Sequence, residues 1–136
     1  MDRRRFISSA PLMAEEVGLR MRSAPDGSEQ TAVICSRKEK RLYLDGERSS
    51  LSPDVQREIQ GGPFELSPGE RLRLRIFLDG SVAEVFANGR AALTERIYPT
   101  RADSLGVGLL ARRGNAKLVS MDVWEMRAIS PDRLTT

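Results

Sequence analysis

Apolar and polar residues alternate along most of this chain. The stretches VGLRMRS (17–23), TAVICSR (31–37), RLYLDG (41–46), LRLRIFLDG (72–80), SVAEVFANG (81–89), LTERIYP (93–99), GVGLLAR (106–112) and LVSMDVWEM (118–126) carry a period near two. That is the repeat of a half-buried strand, not of a helix. Between them APDG, LDGE, SPGE, LDGS, ANGR and RRGN place Gly, Asp and Asn where tight turns need positive φ. The pattern predicts an all-β protein, an antiparallel sandwich or barrel built from hairpins. Only SSLSPDVQREIQGG (49–62) interrupts it. There Ser52 can cap a short helical turn with Pro53 and Asp54 in its first turn, and the segment reads as a long connection between strands.

The stretch LDGSVAEVFANG (78–89) sets two carboxylates, Asp79 and Glu84, near two Gly turns. A two-residue turn at Asp79-Gly80 pairs Ile76 with Ala83, Arg75 with Glu84 and Leu74 with Val85. Leu72, Leu74, Ile76, Leu78, Ala83, Val85 and Ala87 then share a core face, and Arg73, Arg75, Phe77, Glu84 and Phe86 share the other. A cross-strand Arg75–Glu84 ion pair, worth about 0.2–1 kcal/mol, accounts for Glu84, and the turn accounts for Asp79. Retaining glycosidases hold two carboxyls about 5 Å apart across an open cleft, which a tight hairpin does not supply. At the second turn, a two-residue Asn88-Gly89 loop sets Leu93 opposite Glu84, and a three-residue loop including Arg90 aligns it with Val85. The apolar pattern favours the three-residue loop, with Gly89 relieving a bulge.

Composition narrows the chemistry. The 136 residues suit one domain with one core, at 40% apolar and 30% charged residues. No apolar run reaches the roughly 20 residues of a membrane-spanning helix. Histidine is absent, which removes Ser-His-Asp and Cys-His catalysis and histidine-containing zinc sites. Cys35 is the single cysteine, so it forms no internal disulfide and reads as a small buried hydrophobe. No cofactor or metal is expected. The net charge of +3 is spread along the chain, and Arg71, Arg73 and Arg75 read as a solvated strand face and not as a nucleic-acid site. GVGLLA (106–111) fits G-x-G-x-x-G/A, but neither a preceding strand nor a following helix supports a dinucleotide site, and Gly106 and Gly108 read as strand-packing glycines. With 5% aromatics, Trp124 and Tyr98 are the sugar-stacking candidates, Trp124 reading first as core or interface. MDRRRFISSAPLMAEE resembles a twin-arginine leader whose apolar part stops at Glu15. The compartment stays open, with the cytoplasm favoured over secretion.

From LRLRIFLDGSVAEVFANGRAALTERIYPTR through GVGLLARRGNAKLVSMDVWEM the chain resembles the C-terminal β-sandwich of glycoside hydrolase family 32, the invertases, levanases and inulinases. The family's Asp-x-Ser-x-x-Glu-Val-Phe-x-Asn-Gly run is matched by Asp79, Ser81, Glu84, Val85, Phe86, Asn88 and Gly89. Thr94, Arg96, Ile97, Tyr98 and Pro99 match its next segment, and Asp122, Trp124, Glu125 and Met126 its last strand. RSAPDGSEQT, EKRLYLDGERSSLSPDV and GGPFELSPGE extend the likeness to about residues 15–129, leaving 1–14 as a poorly ordered lead-in and 130–136 as a tail. The resemblance implies a jelly-roll, lectin-like sandwich beside a catalytic five-bladed β-propeller, in cis or as a split partner. None of the propeller's catalytic segments occurs in this sequence, so no catalytic residue carries over and the chain alone is expected not to hydrolyse sucrose or fructan. It further implies early strands not found before Val17, as in a truncated gene, a split protein or a fragment, with an exposed edge or inner face that favours self-association. A homo-oligomer fits that expectation; nucleic acid and membrane partners do not. A free-standing carbohydrate-binding sandwich is the rival reading.

Overall fold

The computed structural model describes the backbone of residues 3–7 and, in full, residues 14–127. The strands in chain order are β1 (Arg3–Ile7), β2 (Glu16–Ser23), β3 (Thr31–Ser36), β4 (Arg41–Asp45), β5 (Ile59–Pro63), β6 (Leu74–Asp79), β7 (Val82–Ala87), β8 (Ala91–Arg96), β9 (Gly106–Arg112) and β10 (Ser120–Trp124). All pairings are antiparallel: a five-stranded sheet β5-β4-β3-β2-β9, a three-stranded sheet β6-β7-β8, and the pair β1-β10. The fold is an all-β antiparallel sandwich. The long connection expected over 49–62 contains a strand, β5, and no helical turn forms at Ser52. Ile59 and Gln60 lead into Gly61, Gly62 and Pro63, a composition that carries no alternation and so hides the strand from a periodicity search. Gly61 fits against β4, because a Cβ there would lie 2.1 Å from the Leu42 carbonyl oxygen.

Alternation builds the core. The inward residues of β2, β3 and β4, namely Val17, Met21, Val33, Cys35, Leu42 and Leu44, pack with Ala83, Val85 and Ala87 of β7 and with Phe64 and Ile97. Strand β3 is buried at every position, as its place at the centre of the five-stranded sheet requires. Ile34, on its outer side, is fully buried between its ladder partners Gly18 and Tyr43. Gly18 is what permits this approach: a Cβ there would lie 1.8 Å from the Val33 carbonyl oxygen.

One carboxylate ties the loops at one end of the sandwich. Glu29 is wholly buried. Its Oε2 accepts from the Leu51 N–H at 2.9 Å, the Thr100 N–H at 2.8 Å and the Thr100 hydroxyl at 2.9 Å. Its Oε1 accepts from the Arg101 N–H at 3.1 Å and the Ser104 hydroxyl at 2.7 Å. Arg101 extends the knot outward, donating to both oxygens of Asp26 and to Asp103. Burial alone raises the pKa of Glu29, but the hydrogen bonds from Ser104, Thr100, Arg101 and Leu51 outweigh it and bring the value down to about 2.

Two outcomes follow from these contacts. Gly18→Ala should lower the thermal midpoint sharply, because backbone on β3 must move, whereas Gly62→Ala, with nothing within 4 Å of the added carbon, should change it little; equal midpoints would refute the close-approach argument. Glu29 has a folded pKa below its ordinary 4.5, so its contribution is complete above that value and disappears as pH falls toward 2. Denaturant titrations between pH 6 and pH 2 should show this loss, and Glu29→Gln should cost about 3 kcal/mol at pH 7 and flatten the acid dependence.

Candidate functional site

The hairpin that carries the two suspect carboxylates pairs differently from the expectation. Asp79 faces Val82, Phe77 faces Glu84, Ile76 faces Val85 and Arg75 faces Phe86. The turn is Gly80-Ser81, with Gly80 at φ 55°, the glycine-first arrangement of a type II′ hairpin. Asp79 thus belongs to the strand and not to the turn. The slip is two residues, which preserves every side chain's face because the strand period is two. Leu72, Leu74, Ile76, Leu78, Ala83, Val85 and Ala87 therefore belong to the core, as the alternation predicts. The Arg75–Glu84 ion pair does not form; Glu84 lies between Phe77 on β6 and Thr94 on β8. The second turn is the three-residue loop 88–90, with Leu93 opposite Val85.

On the outer side of this sheet Phe77 and Phe86 meet edge to face, ring centres 6.1 Å apart at 81°. Beside them lies a broad open depression of about 1060 Å³ lined by Glu70, Arg71, Arg73, Arg75, Phe77, Phe86 and Asn88 among others. Neither Asp79 nor Glu84 lines it. The two acids share the outer face but stand two ladder positions apart on a sheet surface, Asp79 exposed and Glu84 half-buried. That arrangement provides no cleft in which one could protonate a leaving group while the other attacks.

The remaining motif residues hold turns together. Asn88, at φ 51°, accepts from the Arg73 N–H at 2.7 Å and donates to Glu70 Oε2 at 2.9 Å and the Arg71 carbonyl at 2.8 Å. Arg90 donates to the same carboxylate at 2.5 and 2.8 Å and to the Glu65 carbonyl at 2.7 Å, with its guanidinium 4.7 Å from the centre of the Phe64 ring. Hydrogen bonds from Arg90, from the Ser67 N–H and from Asn88 hold Glu70 down to about 2. Gly89, at φ 66°, completes the loop. Ser81 accepts from Arg96 at 2.9 Å and its carbonyl accepts from the Ile97 N–H at 2.8 Å. Tyr98 and Trp124 are 43% and 50% exposed; Tyr98 follows β8 with Pro99 after it, and Trp124 ends β10.

Other candidates resolve as follows. Cys35 is buried and its thiol is pushed up to about 11 by that burial, which makes it a poor nucleophile. GVGLLA lies in edge strand β9, with bends and no helix after it. Among the described residues no group of three His, Cys, Asp or Glu side chains could hold a metal ion. Nothing in the sequence singles out Glu29 or the Glu70–Arg90 pair. Glu29 sits in a Gly-Ser-Glu-Gln turn whose donors arrive from residues 51 and 100–104, and no local signal announces contacts so distant in sequence.

The comparisons with known proteins bear on this geometry directly. The family described as "Glycosyl hydrolases family 32 C terminal" matches residues 7–125. An acid beta-fructofuranosidase of Vicia faba is 42% identical over 89 residues, covering 62% of this chain and 14% of that protein. Beta-fructofuranosidase 1 of Zea mays is 35% identical over an alignment of 140 residues, covering 88% of this chain and 20% of that protein. The crystal structure of exo-inulinase from Aspergillus awamori shares the fold, with TM-score 0.70 and 24% identity over 81% of this chain and 22% of that one. The chain thus spans no more than about a fifth of the length of these curated relatives. With the family match running through nearly all of the described sandwich, the chain belongs to the C-terminal domain family of the family 32 glycosyl hydrolases.

Proposed function

We propose that this domain is the non-catalytic C-terminal β-sandwich module of a family 32 enzyme of the β-fructofuranosidase or levanase type. In this reading, hydrolysis of the fructosyl O-glycosidic bond takes place on a catalytic β-propeller in the same chain or in a split partner. The sandwich stabilises that propeller and supports subunit contacts. The observation that carries the reading is the placement of Asp79 and Glu84 on an open sheet surface, inside a domain matched to the C-terminal family. The motif residues then act as scaffold: Asn88 and Gly89, held by Glu70, fix one turn, and Ser81 with Arg96 fixes another.

A module of this kind works by burying apolar surface against its neighbour, as domain interfaces of roughly 600–1,500 Å² do. The sandwich has surface to offer. Leu105, Val107, Leu109, Trp124 and Met126 are between 46% and 71% exposed. The exposure of Tyr98 and Trp124 also favours a second reading, a sandwich that binds carbohydrate through stacking on these rings.

The purified chain should release no reducing sugar from sucrose or inulin, and joining it to a family 32 catalytic domain should raise that domain's thermal midpoint by several degrees. Turnover of sucrose by the chain alone, abolished by Glu84→Gln, would overturn the assignment. Fructan binding by the isolated chain, lost in Trp124→Ala or Tyr98→Ala, would favour the second reading.

A further inference from the structure

The three-stranded sheet ends at β6, whose outer edge has no partner strand among the described residues. Asp79 and Val82 flank a two-residue turn and form a hydrogen-bonded pair, so Phe77, Arg75 and Arg73 turn their N–H and C=O groups toward β7. The bonds between Asn88 and Arg73, from N–H to carbonyl at 2.9 Å and from N–H to Oδ1 at 2.7 Å, record that phase. The backbone groups of Leu74, Ile76 and Leu78 therefore point to the free edge.

Both surfaces flanking this edge are specific. On the inner side, Leu74, Ile76 and Leu78 are only partly buried. Strand β8 packs over β4 and β5, so the sheet runs from there toward β9, and a strand added at β6 lands over the inner face of β9. That face is uncovered: Leu109, which pairs with the core-facing Leu19, is 46% exposed, Val107 along the same side is 49% exposed, and Leu105, just before the strand, is 71% exposed. On the outer side Arg73 and Arg75 are exposed and have no ion-pair partner among the described residues.

We propose that β6 is a docking edge for an extended segment of alternating apolar and acidic residues, supplied by the catalytic partner, with its apolar side over β9 and its acids against Arg73 and Arg75. The proposal rests on the module reading above and names the chemistry of the segment that reading requires. Charge selects this occupant over a second copy. Two β6 strands paired antiparallel about Ile76 set Arg73 opposite Asp79 but Arg75 opposite Phe77, which leaves Arg75 unanswered, whereas an acidic segment meets both arginines.

The test is amide hydrogen exchange by NMR on the purified chain with a synthetic nine-residue peptide alternating Val and Glu, and with its Val/Lys counterpart. The Val/Glu peptide should slow exchange at Leu74, Ile76 and Leu78 by about tenfold or more, less so at high salt, and leave the already bonded Arg75 and Phe77 amides unchanged. The Val/Lys peptide should do nothing. The double variant R73E/R75E should reverse the preference, its retained Arg75→Glu and Phe77 protection reporting that the hairpin is intact. Absence of protection, equal protection by both peptides, or protection that grows with protein concentration alone would overturn the proposal. Should joined catalytic domain gain stability while the peptides protect nothing, the docking edge fails and the module reading stands; the converse result removes the module reading instead.

Discussion

The structure depends on burial of the inward side chains of β7 in the core shared with the five-stranded sheet. Ala83, Val85 and Ala87 are completely buried, and they pack in one core cluster with Val17, Met21, Val33, Cys35, Leu42 and Leu44 of β2, β3 and β4. Burying one valine-sized side chain contributes about 1.5–3 kcal/mol. The larger effect is directional. Once these three side chains point inward, Glu84 and Phe86 must point outward, and with them the whole chemistry of the outer face is settled. The same constraint removes the carboxylates of this hairpin from any enclosed site.

A second constraint acts at the end of the sandwich. Turns and loops carry backbone groups that no ladder satisfies, and in this fold the loops around residues 24–30, 46–52 and 99–104 meet at a single buried carboxylate, Glu29. At the opposite end of the long hairpin the Glu70–Asn88–Arg90 cluster does similar work from the surface. Acidic residues in this domain are thus recruited as acceptors for N–H and guanidinium donors. That use of carboxylates is the one a scaffold role asks for.

Much of this was legible in the sequence because strand periodicity is a local signal. The strands at 31–36, 41–45 and 106–112 sit where alternation places them, and the core face of the β6–β7 hairpin is assigned correctly despite a wrong register, since a slip of two residues leaves each side chain on its face. Asp-Gly and Gly-Ser both suit two-residue turns, and the backbone sign at Asp79 separates them: a type I′ turn needs positive φ there as well as at Gly80, and only Gly80 has it. Strand β5 escaped because Gly61, Gly62 and Pro63 replace the apolar alternation with close backbone contact. Glu29 escaped because its five donors come from loops brought together only by the tertiary fold. The family resemblance, by contrast, rests on motif residues that the structure places mostly in turns and on the outer sheet, with Val85 and Ile97 in the core.

The most direct measurement of the central claim is the set of methyl NOEs from Val85 in the purified chain. The account predicts contacts from Val85 to the methyl groups of Val17, Val33, Leu42 and Leu44, and none from the Phe86 ring to the same groups. Strong contacts from Phe86 to those core methyls, with Val85 silent, would invert the sheet, turn Glu84 toward the interior, and contradict the reading of this hairpin as scaffold.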